Sequence, residues 1–263
     1  MAAVINTTLQ EEAMAVTRKD EMRRAEESVG MSKQGYEQMG VAMTCRSYEE
    51  YLRMFDLQPE DLATGEILDV AAGGSSFTAE VNDRGFSAKA VDPRYGAGIE
   101  KWISEAAEEI ETSTAKIAKI QELFDWSYYG SVENHRAGRE ASIERFKADV
   151  LRNENKQIYI DGKLPELPFK DNRFSLILCS HFMFLYASQF GHEFHSQAIL
   201  ELMRIGKPGG QIRIYPLISL NWEPYTELDN LIEMIAANGG RAELGNSNLP
   251  FIPGSSQYLK ILL

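Results

Sequence analysis

Apolar residues follow two rhythms along this chain, and the switches between them outline its architecture. Residues 8–29 are rich in Ala, Glu, Met and Arg and contain neither Pro nor Gly, which predicts a helix with a mostly charged face, ended by Gly30. Residues 47–55 predict a second helix, with Ser47 as N-cap, Glu50 at the capping-box position and Tyr51, Met54 and Phe55 as its apolar contacts. After Gly65 the rhythm shortens. Ile67, Leu68 and Val70 form a brief run of the kind a parallel strand buried on both faces requires. Residues 77–84 read as a short helix closed by Gly85, and residues 88–91 as the next strand, ending at Asp92 and Pro93. Strand, turn, helix and strand in that order make a βαβ unit.

The helical period then returns for residues 98–153, where Ile99, Ile103, Ile110, Ile117, Ile120 and Phe124 are spaced as one apolar stripe and residues 142–150 resume the pattern. This predicts a helical insertion. Further strands are expected at residues 157–160, 175–179, 211–215, 241–244 and 257–262, with helices at 195–205 and 228–238. The first of those helices stops at Lys207, Pro208, Gly209 and Gly210. The expected fold is α/β, a mostly parallel seven-stranded sheet flanked by helices, with the segment 1–64 and the insertion 98–153 forming a cap over a ligand-binding domain, 65–263.

Composition narrows what such a fold does. A chain of 263 residues that is 44% hydrophobic can bury one substantial core and still carry appended helices. A net charge of -12 and a pI near 4.9 oppose a role in holding a phosphate backbone, so nucleic acid is not the expected partner. Cys45 and Cys179 stand far apart without metal-ligand spacing, which leaves no zinc site or disulfide framework to expect. Glu11, Glu12, Arg18, Lys19, Asp20 and Glu21 exclude a signal-peptide apolar region there, and no apolar run approaches a membrane span. A soluble, cytoplasmic protein is expected; its oligomeric state is left open.

The first βα turn, Asp69 through Phe77, gathers Ala71, Ala72, Gly73, Gly74, Ser75 and Ser76 where a strand hands over to a helix. Small side chains there let a ligand approach the backbone, and the helix N-terminus beyond offers unpaired N–H groups. Asp92 ends the next strand at the distance where nucleoside-binding α/β folds place an acid for ribose hydroxyls.

Residues 67–77 resemble motif I of the class I, Rossmann-like S-adenosylmethionine (SAM)-dependent methyltransferases, with Asp69, Gly73 and Ser75 in place and Ala71 where that family usually has its first Gly. Asp92 resembles the family's ribose-binding acid, and residues 167–178 and 207–210 its usual approach to the fourth strand and its turn before the fifth. The resemblance implies SAM as cofactor, held by Asp69, Ala71, Gly73, Ser75, Asp92 and Ser180. It also implies contacts near Lys163 and Leu164, although Lys163 stands where related enzymes often have an Asp for the adenine. A dinucleotide fold would need Gly-x-Gly-x-x-Gly, and Phe77 arrives too early for the third Gly.

By topology the end of the fourth strand lies beside the SAM loop, which makes His181 the candidate base or acceptor-orienting group. Tyr129, Tyr186, Tyr215 and Trp222 are candidate substrate contacts, with Trp126, Tyr128 and Tyr225 in the same aromatic set. Arg136, Arg139 and Arg145 read either as carboxylate binders or as decoration on a solvated helix, and His192 with His195 as a solvated helix start without a third metal ligand. The expected activity is methyl transfer to a small-molecule O or N acceptor under a helical lid. An RNA or protein methyltransferase and a non-catalytic partner-binding subunit are the alternatives.

Overall fold

The computed structural model describes residues 40–152 and 157–263; the helix expected over residues 8–29 lies outside them. In chain order the elements are α1 (Tyr48–Met54), α2 (Pro59–Leu62), β1 (Glu66–Val70), α3 (Phe77–Asp83), β2 (Ser87–Val91), α4 (Ile99–Lys119), α5 (Val132–Arg152) and β3 (Tyr159–Ile160). There follow β4 (Phe174–Ser180), α6 (His192–Ile205), β5 (Gly206–Tyr215), α7 (Leu228–Ala237), β6 (Arg241–Asn246) and β7 (Gln257–Leu262). Short 3-10 turns occupy Pro93–Ala97 and Gln121–Leu123.

The strands form one seven-stranded sheet in the order β3-β2-β1-β4-β5-β7-β6. Pairing is parallel from β3 through β5, and β7 runs antiparallel to both of its neighbours. Leu68 and Val70 of β1 join a core with Ile177, Ile212 and Ile214 that α6 and α7 cover through Ala198, Ile199, Leu202, Leu231 and Ile235. Successive strand residues point to opposite faces, so Asp69 faces the other layer, where the Tyr51 hydroxyl of α1 donates to it at 2.9 Å. The capping box that fixes α1 is formed as expected, by Ser47 and Glu50.

The expected strands are all present, with two boundary differences. Gln157 has φ 48 and cannot extend β3. In turn, β5 begins earlier than Gln211, because Gly206 already pairs with Phe174 before the register shifts and Gln211 pairs with Leu176. The four turn residues form a bulge inside the strand. A Cβ on Gly210 would sit 2.9 Å from the Ser175 and Lys207 carbonyl oxygens, so only glycine closes it.

The insertion is two long antiparallel-connected helices. Its buried stripe runs through Trp102, Ala106, Ile110 and Ile117, with Ile103 on the flank instead of the centre; Trp102, Ala106 and Ile110 pack with Ile143, Phe146 and Val150 of α5. Among the described residues no helix is long and apolar enough to cross a membrane.

Candidate active site

The strand order reverses between β1 and β4, and ligands of open α/β sheets bind outside the carboxyl ends of the strands at such a switch point. There β1 passes into α3 through a turn in which Ala71 has φ 54 and Gly73 has φ 56. The left-handed conformation costs an L-residue about 1–2 kcal/mol. Ala71→Gly is therefore expected to hold or raise the melting temperature, whereas a clear drop would show that the Ala71 methyl carries packing of its own.

Asp92, directly after β2, braces this turn. One carboxylate oxygen accepts from the Gly73 N–H at 3.1 Å and the other from the Arg94 N–H at 2.9 Å. Burial pushes its pKa up, opposed by the Arg94 N–H and guanidinium and by the Gly73 N–H. Next to Asp92 lies a pocket of about 200 Å³. Val70, Ala71 and Val91 wall it from the strand ends, Gly162, Lys163 and Leu164 from the turn after β3, and Phe182, Phe190 and Phe194 from beyond β4. An apolar slot with one carboxylate fits a nucleoside, since each Asp92 oxygen keeps a second lone pair for a ribose hydroxyl.

Of the residues expected at the cofactor, Ala71, Asp92, Lys163 and Leu164 line this pocket; Asp69, Gly73, Ser75 and Ser180 do not. Asp69 is fully buried, and burial raises its pKa well above the carboxylate range, with the Tyr51 hydroxyl opposing. Ser75 Oγ donates to the Arg46 carbonyl at 2.6 Å. The helix N-terminus expected to offer free N–H groups is already satisfied by the chain itself. Gly74 N–H donates to the Thr44 carbonyl at 3.0 Å and Ser76 N–H to the Arg46 carbonyl at 3.0 Å, while the Arg94 guanidinium reaches the Val41 carbonyl. Residues 41–46 thus form a strap across the glycine loop.

At the end of β4, His181 adopts φ 52 and its N–H donates to the Tyr215 carbonyl at 2.7 Å. Ser180 Oγ lies 2.9 Å from His181 Nδ1. Burial holds the imidazole pKa well below its ordinary value, helped by Arg46 and Arg139, so the ring is neutral and keeps a lone pair. The aromatic set divides. Tyr186 accepts the Ala42 N–H at 2.9 Å, Tyr215 donates to the Leu249 carbonyl at 2.8 Å, and Tyr129 donates to Glu50 Oε1 at 2.5 Å. Trp222 meets Phe124 edge-on, and Tyr225 packs beside Phe184 and His195, away from Tyr129.

Two expectations are corrected. Arg139 does not decorate a solvated helix: it is buried, and its Nη1 donates to Glu50 Oε1 at 2.6 Å and to the Cys45 carbonyl at 2.8 Å. Arg136 and Arg145 remain at the surface, paired with Glu111 and Glu140 and with Asp83. Nor does His195 belong to a solvated helix start. It is fully buried, with its ring nitrogens 2.9 Å from the Gly191 carbonyl and 3.1 Å from the Met183 carbonyl, and so pins α6 to the segment after β4. Among the described residues no group of His, Cys, Asp and Glu could hold a metal ion.

The cluster around Glu50 escaped sequence reasoning, because Arg46 and Glu50 meet Tyr129, His135 and Arg139 only through the fold. Burial would raise the Glu50 pKa, but Arg139 and Arg46, with the Ser47 N–H and Tyr129 hydroxyl, hold it at about 2. Burial, with Arg139 and Arg46, likewise pushes His135 down to about 2. The signs agree. Glu50 contributes stability that is present above its ordinary 4.5 and lost as pH falls toward 2. The unfolded chain takes a proton on His135 below 6.5 that the fold refuses, so stability also falls from there downward. Melting temperature is expected to decline below pH 6.5, and His135→Phe to flatten the upper part of that decline. A wild-type profile that stays level below pH 6.5 would mean that the ring is protonated in place.

This sheet, with its reversal between β1 and β4 and its antiparallel β7, is the class I, Rossmann-like fold of SAM-dependent methyltransferases. A family model described as a methyltransferase domain matches residues 136–214. The chain belongs to the family of an uncharacterized protein of Methanocaldococcus jannaschii, to which it is 30% identical over 217 residues, 82% of this chain and 93% of that one. Among solved structures it is similar to a SAM-dependent methyltransferase from Aquifex aeolicus, 16% identical over 81% of this chain and 93% of that one, with a TM-score of 0.38. A TehB-like SAM-dependent methyltransferase from Corynebacterium glutamicum is 12% identical over 94% of this chain and 97% of that one, with a TM-score of 0.42.

Proposed function

We propose that this chain is a SAM-dependent methyltransferase acting on a small-molecule O or N acceptor. The observation that carries the reading is the apolar pocket at the carboxyl ends of β1 and β2 with the Asp92 carboxylate beside it. Asp92 would hold the ribose hydroxyls of SAM, while Val91 and Leu164 enclose the base. When bound, SAM supplies an electrophilic methyl carbon on a sulfonium.

The remaining task of the protein is alignment, which in a displacement of this kind counts for more than any single group. His181, neutral and at the end of the neighbouring strand, orients the acceptor or takes its proton, and Ser180 fixes the ring through its contact with Nδ1. Tyr186 and Tyr215, buried at the same end of the sheet, narrow the acceptor space. The helices of the insertion, together with the segment 1–64, serve as a cap that excludes water.

Calorimetric titration with SAM and S-adenosylhomocysteine tests the cofactor, and binding of neither at tens of micromolar removes the reading. A methyl-transfer screen over amines, phenols and carboxylic acids then tests the acceptor class. In that screen His181→Ala is expected to lower kcat by roughly 100-fold, the ordinary worth of a positioned base; unaltered turnover would take His181 out of the mechanism.

A further inference from the structure

Arg46 and Arg139 bring two guanidiniums into the interior, and among the described residues Glu50 is the one carboxylate bonded to either. The Arg46 contact is long, 3.4 Å from Nη1 to Glu50 Oε1, and its Nε, in a residue only 7% exposed, has no partner. His135 repeats the deficit. Arg139 Nη2 can only donate, so His135 Nε2, 3.1 Å away, accepts and the proton sits on Nδ1, which is buried without a partner. One cluster therefore holds one cation more than it holds anions, together with two unmatched N–H donors.

Such an arrangement works against stability. An unmade buried hydrogen bond costs about 1–3 kcal/mol, and a buried charge without its counterion costs several. A bound anion would match both the charge and the donors. The strap places Arg46 against the glycine loop, and its charge reaches His181 and Tyr215 at the ends of β4 and β5, across the switch point from Asp92 and Leu164.

We propose that Arg46, backed by Arg139 and His135, is the receptor for a carboxylate on the methyl acceptor, which makes the substrate class of this enzyme an organic acid. The proposal rests on the methyltransferase reading for the word acceptor, but the anion site itself can be tested without cofactor.

The test is calorimetry on the full chain with benzoate and with benzamide, its neutral counterpart of the same shape, in the absence and presence of S-adenosylhomocysteine. Benzoate is expected to bind at least about tenfold tighter than benzamide, the least that a charge-assisted pair contributes. Arg46→Gln, confirmed as folded by its melting curve, is expected to erase that preference while S-adenosylhomocysteine affinity stays within about twofold. Equal binding of the two probes by the wild type, or an undiminished preference in Arg46→Gln, overturns the proposal. So does a loss of S-adenosylhomocysteine affinity that 5′-methylthioadenosine does not share, since Arg46 would then hold the cofactor's own carboxylate. Failure of S-adenosylhomocysteine to bind at all would remove the methyltransferase reading and leave the cofactor-free benzoate arm standing.

Discussion

Asp92→Ala is expected to weaken S-adenosylhomocysteine binding by roughly 100-fold, because two charge-assisted hydrogen bonds of about 1.5 kcal/mol or more each disappear together. Part of the loss would come through the loop. Asp92 also accepts the Gly73 N–H at 3.1 Å, so alanine frees a turn that contains two residues with left-handed backbone. Asp92→Asn separates the two contributions. Its amide oxygen can still accept from Gly73, but it cannot accept from both ribose hydroxyls, so affinity should fall by about tenfold while the melting temperature stays close to the wild type. Calorimetry beside thermal melts reads both quantities. Unchanged affinity in Asp92→Ala would place the nucleoside elsewhere, and equal damage from the two substitutions would reduce Asp92 to a brace for the turn.

Much of this architecture was legible in the chain because the signals were local. A short apolar run between glycines can only be a buried strand, and Ser47 with Glu50 three residues later forms the capping box that the spacing announces. Asp92 was legible for the same reason, since its role depends on its distance from the turn after β1. What stayed hidden depends on where side chains meet after folding. In the sequence His195 is a polar residue near a helix start, but carbonyls of Gly191 and Met183 satisfy both ring nitrogens and let it be buried. Arg139 has charged surface residues as helical neighbours, and only the packing of α5 against the strap turns it inward to Glu50. The strap itself gave no signal. Residues 42–46 lack a periodic pattern, and their function is to lend backbone carbonyls to the glycine loop.

Glu50→Ala is expected to be the most damaging substitution in this region, costing about 3–5 kcal/mol, because it strands two buried guanidiniums. One carboxylate here serves two structures. Its Oε2 accepts the Ser47 N–H at 2.8 Å and so completes the cap of α1, and its Oε1 accepts from Tyr129 and Arg139. For a chain of this size each kcal/mol shifts the melting temperature by about 2–4 °C, so a drop on the order of 10 °C should follow. The cap alone accounts for about 1 kcal/mol, and Glu50→Gln, which keeps an acceptor for Ser47 but no charge, should recover little more than that. Arg139→Met removes one of the stranded cations, so in combination with Glu50→Gln it should cost less than the sum of the single changes, by about 0.5–3 kcal/mol. Strict additivity would mean that Glu50 and Arg139 contribute independently and that no shared charge balance exists at this point of the fold. A strong positive coupling would instead identify the surplus charge on Arg46 as what remains after Glu50 has neutralised its closer partner, the condition from which the affinity for an acid follows.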